Sequence, residues 1–195
     1  MPPQWLHSPP APSRYAPLQC PPYSPNHTLP AARTPEGIVK KVTVTWDPER
    51  ATFMARGSHA GHELEMAAPA EDHAMHGFSP SETLLAAVGG CSAWDVVEIL
   101  RKQRQPVTGV ELRVEGEQLA EAPWAYTRVV VTYVVCGRGV DPGAVERAVR
   151  LSNERYCSVI ATIRGVASVE SDIELIEESA PGEGCDPVAA GRQGA

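Results

Sequence analysis

Apolar and polar residues alternate along several short segments of the chain, which is the period of a β-strand with one buried face. Residues 42–46 alternate in this way and predict a half-buried strand. Residues 52–56 and 62–66 follow a turn at residues 47–50 and would complete an antiparallel N-terminal sheet. Three further strands are predicted over residues 110–114, 125–136 and 169–175.

The longest apolar segment predicts a helix with clear start and stop signals. Ser79 suits the N-cap, Pro80 the first helical position and Glu82 the third, which together form a capping box. Because proline blocks a helix interior, the helix should end near residue 104, before Pro106.

Within this helix, residues 84–93 are apolar on all sides, so we expect them to be buried all round. The segment contains Gly89 and Gly90. Each glycine costs about 1 kcal/mol in a helix interior. The pair therefore indicates that another backbone packs closely there.

Asp141 and Pro142 predict the start of a second helix, whose Val145, Ala148, Val149 and Ser152 face inward. A short third helical segment follows Cys157, over residues 158–163. The order β-β-β-α-β-β-α-α-β is typical of an α+β fold.

The distribution of proline distinguishes the N-terminal part of the chain from the rest. Eleven of its 19 prolines lie in residues 1–36, which predicts a disordered N-terminal extension. Residues 179–195 predict a disordered C-terminal tail, so the folded domain should span residues 37–178. That length is enough for one domain with its own core.

Charge, apolar content and cysteine count disfavour several classes of protein. The net charge is −7 with no basic stripe, which disfavours nucleic acid as a partner. The apolar run of residues 84–94 is too short to span a bilayer, and the chain start lacks the pattern of a secretory signal. Five cysteines fit a reducing cytoplasm better than a disulfide-stapled secreted domain.

Four histidines form two His-x-x-His pairs, His59/His62 and His73/His76. Such pairs can bind metal. Residues i and i+3 of a strand point to opposite faces, so a solvated polar loop is the preferred interpretation, and no metal ligand or cofactor is assigned. A metal-binding protein that uses the histidine pairs is a weaker alternative.

Two segments around cysteines carry a family resemblance. The first reads Ser79-Pro80-x-Glu82-x-Leu84-Leu85 and continues through Gly89-Gly90-Cys91-Ser92 to Asp95-Val96-Val97-x-Ile99-Leu100. The second reads Glu146-Arg147-Ala148-Val149-x-Leu151-Ser152 and continues to Tyr156-Cys157-Ser158-Val159. The chain resembles the OsmC/Ohr family in these segments, and most resembles its YhfA-like branch.

The resemblance implies an OsmC-like fold, with antiparallel sheets wrapped around two central helices in an intertwined homodimer. It also implies a cysteine-based peroxidase of the antioxidant stress response that reduces organic hydroperoxides. By position Cys91 would be the peroxidatic cysteine and Cys157 the resolving one, with an external dithiol as reductant. As the start of a helix, Cys157 should have a lowered pKa.

Active members of the family also use an arginine from the N-terminal sheet and a glutamate near the start of the cysteine helix. Arg56 matches the Arg-Gly dipeptide, whereas Arg50 is closer in chain position. Ser81 holds the family's glutamate position and Glu82 is one residue away, so Glu82 is either a capping residue or a catalytic one. These departures leave an alternative, a dimeric module that binds an apolar or thiol-reactive small molecule without efficient turnover.

Overall fold

A computed structural model of the chain describes residues 39–58, 61–67 and 77–178. The extension and tail predicted for residues 1–36 and 179–195 lie outside the described residues. The described elements follow the predicted order of strands and helices.

The N-terminal strands form a separate antiparallel sheet in the order β1-β2-β3. They are β1 (Thr43–Asp47), β2 (Thr52–Arg56) and β3 (Glu63–Ala67). The prediction of a half-buried first strand is wrong for the single chain, because Val42, Val44 and Trp46 are all more than half exposed. No element in the described part of the chain covers these side chains.

A second sheet, in the order β4-β5-β6, supports the core. Its strands are β4 (Val107–Gln118), β5 (Tyr126–Gly137) and β6 (Ser168–Glu177). β4 pairs with β5 in antiparallel register, but β6 pairs with β5 in parallel, so the expectation of purely antiparallel sheets is wrong. The helices between β5 and β6 supply the long crossover that a parallel pair needs.

The first helix, α1 (Pro80–Lys102), begins with the predicted capping box. Ser79 accepts a hydrogen bond from the Glu82 backbone N–H, and the Glu82 carboxylate accepts one from the Ser79 N–H. One face of α1 is buried with Val88, Val96 and Leu100. The opposite face is open, with Leu84 42% exposed, so the expectation that residues 84–93 are buried all round is wrong for the single chain.

The two glycines of α1 differ in their surroundings. A Cβ on Gly89 would lie 3.2 Å from Cγ2 of Val114 in β4, whereas a Cβ on Gly90 would meet nothing within 4 Å. Gly89 therefore permits the close approach of α1 to β4. Gly90 lies on the open face of the helix.

By length and composition, α1 is also sufficient to cross a bilayer, and no other helix in the described part of the chain is. The sequence-based statement that its apolar run is too short does not hold for the full 23-residue helix. A core helix of a soluble protein passes the same test, so this is weak evidence for a membrane span.

The second helix, α2 (Pro142–Leu151), runs into a π-helical turn (Ser152–Tyr156) and then into α3 (Ser158–Ile163). Asp141 caps α2 by accepting a hydrogen bond from the Gly143 N–H. The predicted inward residues of α2 are all buried: Val145, Ala148, Val149 and Ser152. Together with α1 and β5 they enclose one core that includes Cys157.

Candidate active site

The fold brings together the two cysteines singled out from the sequence. Cys91 lies in the middle of α1, and Cys157 lies where the π-helical turn ends and α3 begins. The Sγ atoms of Cys91 and Cys157 and a carboxylate oxygen of Asp95 all lie within 4.8 Å of one another. Asp95 follows Cys91 by four residues, so both side chains leave the same face of α1.

Cys157 is the buried member of the pair, only 2% exposed. Its Sγ accepts a hydrogen bond from the Ile160 N–H at 3.4 Å, which caps α3. Burial, and to a smaller extent a hydrogen bond with Cys91, nonetheless raise the pKa of the Cys157 thiol to about 12. The expectation of a lowered pKa is therefore wrong, because the loss of water outweighs the backbone donors.

Cys91 is half-buried, so it is the member of the pair that reagents reach from solvent. These two are the free cysteines among the described residues. Cys136, fully buried near the end of β5, is disulfide-bonded and is not a free thiol. Cys20 and Cys185 lie outside the described residues.

A chain of polar side chains leads from the thiol pair into the core. The Ser152 hydroxyl donates to the Asp95 carboxylate at 3.0 Å and lies 2.8 Å from the Ser92 hydroxyl. Ser92 in turn lies 2.6 Å from the hydroxyl of Tyr133 on β5. Each of these groups thus has a partner, as buried polar groups require.

The chain ends on β6. Tyr133 donates to Oδ1 of Asn153 at 3.1 Å, and Nδ2 of Asn153 donates to Ser171 at 2.8 Å. Burial raises the pKa of Tyr133 to about 12, so the phenol remains protonated and able to donate at neutral pH. The π-helical turn places Ser152 and Asn153 side by side in the core.

Sequence analysis missed this polar chain as a functional feature. A signal was present, because Ser152 and Ser171 lie on faces that the apolar periodicity marks as inward. Ser92 and Tyr133 carried no such signal beyond being polar residues within apolar segments.

The two candidate arginines pair with glutamates of their own sheet. Arg50 makes a bidentate contact to Glu65 at 2.9–3.0 Å, and Nε of Arg56 lies 2.6 Å from Glu63. All four side chains are largely exposed. In the single chain both arginines therefore form surface ion pairs, and neither of them is paired with a cysteine.

Glu82 performs the capping role weighed in the sequence. Hydrogen bonds from the Ser79 side chain and backbone hold the pKa of its carboxyl below the usual value. Glu82 also lines an open cleft of about 390 Å³ along α1, together with Gly89, Gly90 and Leu112. Its catalytic role stays a prediction.

The histidine pairs fall mostly outside the described residues, which include His62 but not His59, His73 or His76. Trp94 on α1 and Trp124 before β5 are both exposed. Trp124 lines a second cleft, of about 500 Å³, between the start of α1 and the end of α3.

Comparison with known proteins agrees with this architecture. The model of the family described as OsmC-like protein matches residues 70–172, which is more than half of the chain. The chain belongs to the OsmC-like family. The matched region contains Cys91, Cys157 and every residue of the polar chain.

Within the OsmC-like family, the chain is 39% identical over 128 residues to the Escherichia coli protein YhfA. The match covers 66% of this chain and 92% of YhfA. A solved hypothetical protein from Aquifex aeolicus is 31% identical, with a TM-score of 0.64, and the match covers 73% of this chain and all of that one.

A more distant solved structure is an organic hydroperoxide resistance protein OsmC from Legionella pneumophila. It is 14% identical with a TM-score of 0.50, and the match covers 70% of this chain and 97% of that one. At that identity the likeness indicates the OsmC-like fold alone. The resemblance found in the sequence is confirmed by the family match and by YhfA.

Proposed function

We propose that this OsmC-like protein is a cysteine-based peroxidase that reduces organic hydroperoxides through a cycle between Cys91 and Cys157. The observation that carries the proposal is the approach of two free thiols in the core of one chain. The family includes organic hydroperoxide resistance proteins, which favours this substrate class.

In the first step the Cys91 thiolate attacks the O–O bond of a hydroperoxide, ROOH. The O–O bond breaks as the terminal OH passes to sulfur, so Cys91 becomes a sulfenic acid. The alkoxide RO⁻ leaves and takes up a proton to form the alcohol ROH. The Cys157 thiol then condenses with the sulfenic acid to form a disulfide and water. An external dithiol exchanges with the disulfide and restores both thiols as it is itself oxidised.

The different surroundings of the two sulfur atoms support this division of roles. Cys91 is the thiol that solvent reaches, so a hydroperoxide meets it first. Cys157 is buried and its raised pKa keeps it protonated at neutral pH, which suits a resolving thiol that waits for the sulfenic acid.

We also propose that the working form is a homodimer in the cytoplasm. Apolar side chains remain exposed on β1 and on α1, among them Val44, Trp46, Leu84, Trp94 and Val97. Such a patch marks an interaction surface. A second copy would cover it, and would carry Arg50 or Arg56 from its own N-terminal sheet towards the thiol pair.

A second candidate function is a dimeric module that binds an apolar or thiol-reactive molecule without efficient turnover. The surface ion pairs of Arg50 and Arg56 favour it, because neither arginine is free to activate a thiol in the single chain. Under this alternative the same fold and dimer persist, but hydroperoxide is not consumed.

Steady-state reduction of cumene hydroperoxide with dithiothreitol distinguishes the two functions. We expect turnover in the wild type, and its loss in both Cys91→Ser and Cys157→Ser. Turnover no faster than with free dithiol, together with slow alkylation of both thiols at neutral pH, would leave the binding module as the better account.

Arg50→Gln and Arg56→Gln form a matched pair for the activating arginine, because each removes one exposed ion pair to β3. Each ion pair contributes at most about 1 kcal/mol to stability, so both variants should fold. We expect only one of them to lose turnover. Wild-type turnover in both variants would exclude these arginines from catalysis.

A further inference from the structure

We propose that Cys91, Asp95 and Cys157 form a binding site for a divalent ion of the Zn²⁺ class. Their two sulfur atoms and one carboxylate oxygen lie within 4.8 Å of one another. Thiolate sulfur and carboxylate oxygen bind Zn²⁺ at about 2.3 and 2.0–2.2 Å, which places the ligand atoms of a tetrahedral ion about 3.5–3.8 Å apart. Side-chain rotations of about 1 Å would bring the three atoms to these distances. The proposal concerns metal binding and does not rest on peroxidase activity.

The surroundings of these three residues resemble the outer shell of a metal site. The Ser152 hydroxyl donates to the Asp95 carboxylate at 3.0 Å, which fixes one carboxylate oxygen. The Ile160 N–H donates to the Cys157 sulfur at 3.4 Å, which fixes the position of this sulfur atom. Groups that orient the ligands in this way commonly accompany bound zinc.

The ligand set favours one class of ion. Two sulfur donors exclude Mg²⁺ and Ca²⁺ as good fits, because these ions prefer oxygen ligands. Cys91 and Asp95 are half-buried, so the fourth position of a tetrahedral ion would face solvent and hold water. Binding would displace the two thiol protons to solvent.

An ion at this position and a disulfide between the same cysteines exclude each other. A bound ion therefore keeps both sulfur atoms reduced and withholds Cys91 from electrophiles. In this state the site acts as a metal-dependent block on thiol chemistry.

Titration of the phosphine-reduced full-length protein with Co²⁺ as the probe tests the site by absorption, independently of turnover. We expect one equivalent of Co²⁺ to bind with thiolate-to-metal charge-transfer bands, and Zn²⁺ to displace it. Both Cys91→Ser and Cys157→Ser should lose the stoichiometric ion. Cys91 alkylation by iodoacetamide should be slowed in the Zn²⁺-loaded wild type.

Three further variants locate the ion. Asp95→Asn should keep the charge-transfer bands but bind at least about tenfold more weakly, and Ser152→Ala should lose about 10–100-fold in affinity. His62→Gln, in an exposed histidine remote in sequence from the thiols, should bind as the wild type does. Thermal unfolding of each apo-protein checks that the fold is kept.

The proposal is overturned if the reduced wild type gives no charge-transfer band at stoichiometric Co²⁺. It is also overturned if the band survives in Cys91→Ser, a substitution at a half-exposed position that the fold should tolerate. Either result is distinct from a failure of the peroxidase assay, which needs no metal.

Discussion

Two regions of the molecule differ in how far a single chain buries their apolar side chains. They are the surroundings of the thiol pair and the N-terminal sheet. Around Cys91 and Cys157, side chains of α1, α2 and α3 pack against β5 in a closed core. On β1, by contrast, Val44 and Trp46 are exposed. The first region is closed by contacts within one chain, whereas the second leaves apolar side chains uncovered by the described residues.

The same contrast separates the two parts of the proposed catalytic machinery. The thiols and their polar chain are held by buried contacts, whereas Arg50 and Arg56 lie in exposed ion pairs of the open sheet. Exposed ion pairs contribute little and are readily exchanged. Under the proposed function, one chain would hold the redox-active thiol pair, and activation of the pair would depend on assembly.

The strongest test of this contrast replaces one valine in each region by aspartate. Val149→Asp buries an unpaired charge in the core and should cost more than about 4 kcal/mol, enough to abolish cooperative unfolding. Val44→Asp, at an exposed position, should keep the fold but yield a monomer in analytical ultracentrifugation. A dimeric Val44→Asp protein would contradict the role assigned to β1.

The two glycines of α1 provide a smaller version of the same test. Gly89→Leu would place a side chain against Val114 and should destabilise the protein by about 1–3 kcal/mol. Gly90→Ala adds a methyl group into open space and should stabilise the helix by up to about 1 kcal/mol. Chemical denaturation measures both, and a destabilising Gly90→Ala would mean that another chain packs closely at Gly90.

Two variants distinguish the capping role of Glu82 from its predicted catalytic role. Ser79→Ala breaks the capping box and should cost about 1 kcal/mol in free energy of unfolding, whereas Glu82→Gln keeps an acceptor for the Ser79 N–H and should cost less. Only Glu82→Gln removes the carboxylate. Equal turnover of the two variants indicates a cap alone, whereas a selective loss in Glu82→Gln indicates a catalytic carboxylate.

The smallest expected effect is a change in how stability depends on pH. The pKa of Cys157 is raised in the fold to about 12 from an ordinary value of 9.0, so the folded state retains a proton that the unfolded state loses above pH 9. Stability should therefore fall as pH rises from 9 towards 12. Tyr133 adds a similar decline from its ordinary value of 10.0 upwards.

The variant Cys157→Ala isolates the thiol's part of this decline. Between pH 9 and 10, denaturant unfolding should show a shallower fall in stability for Cys157→Ala than for the wild type. Parallel slopes in the two proteins would mean that the buried thiol does not carry the proton.

Much of the fold could be predicted from local patterns. The capping box at Ser79, the Asp141-Pro142 helix start and the inward face of α2 are set by neighbours in sequence, and all three are confirmed. The parallel pairing of β6 was missed, because strand direction depends on a crossover between distant segments. Alternation of apolar and polar residues predicts a strand, but it does not predict which strand pairs with it or in which direction.

The site was predictable as a pair of cysteines but not in its electrostatics. The start of α3 suggested a lowered pKa for Cys157, and the structure reverses the sign because the packed core excludes water around the sulfur. The polar chain through Ser92 and Tyr133 joins residues 41 positions apart, which no local pattern reveals. The burial of α1 was overestimated because an apolar sequence does not indicate whether residues of the same chain cover the helix.

The most direct test of the central claim is peptide mapping after one equivalent of cumene hydroperoxide is added to the reduced protein. The account predicts a Cys91–Cys157 disulfide in the wild type and a trapped sulfenic acid at Cys91 in Cys157→Ser. Unconsumed peroxide with both thiols still reduced would contradict it.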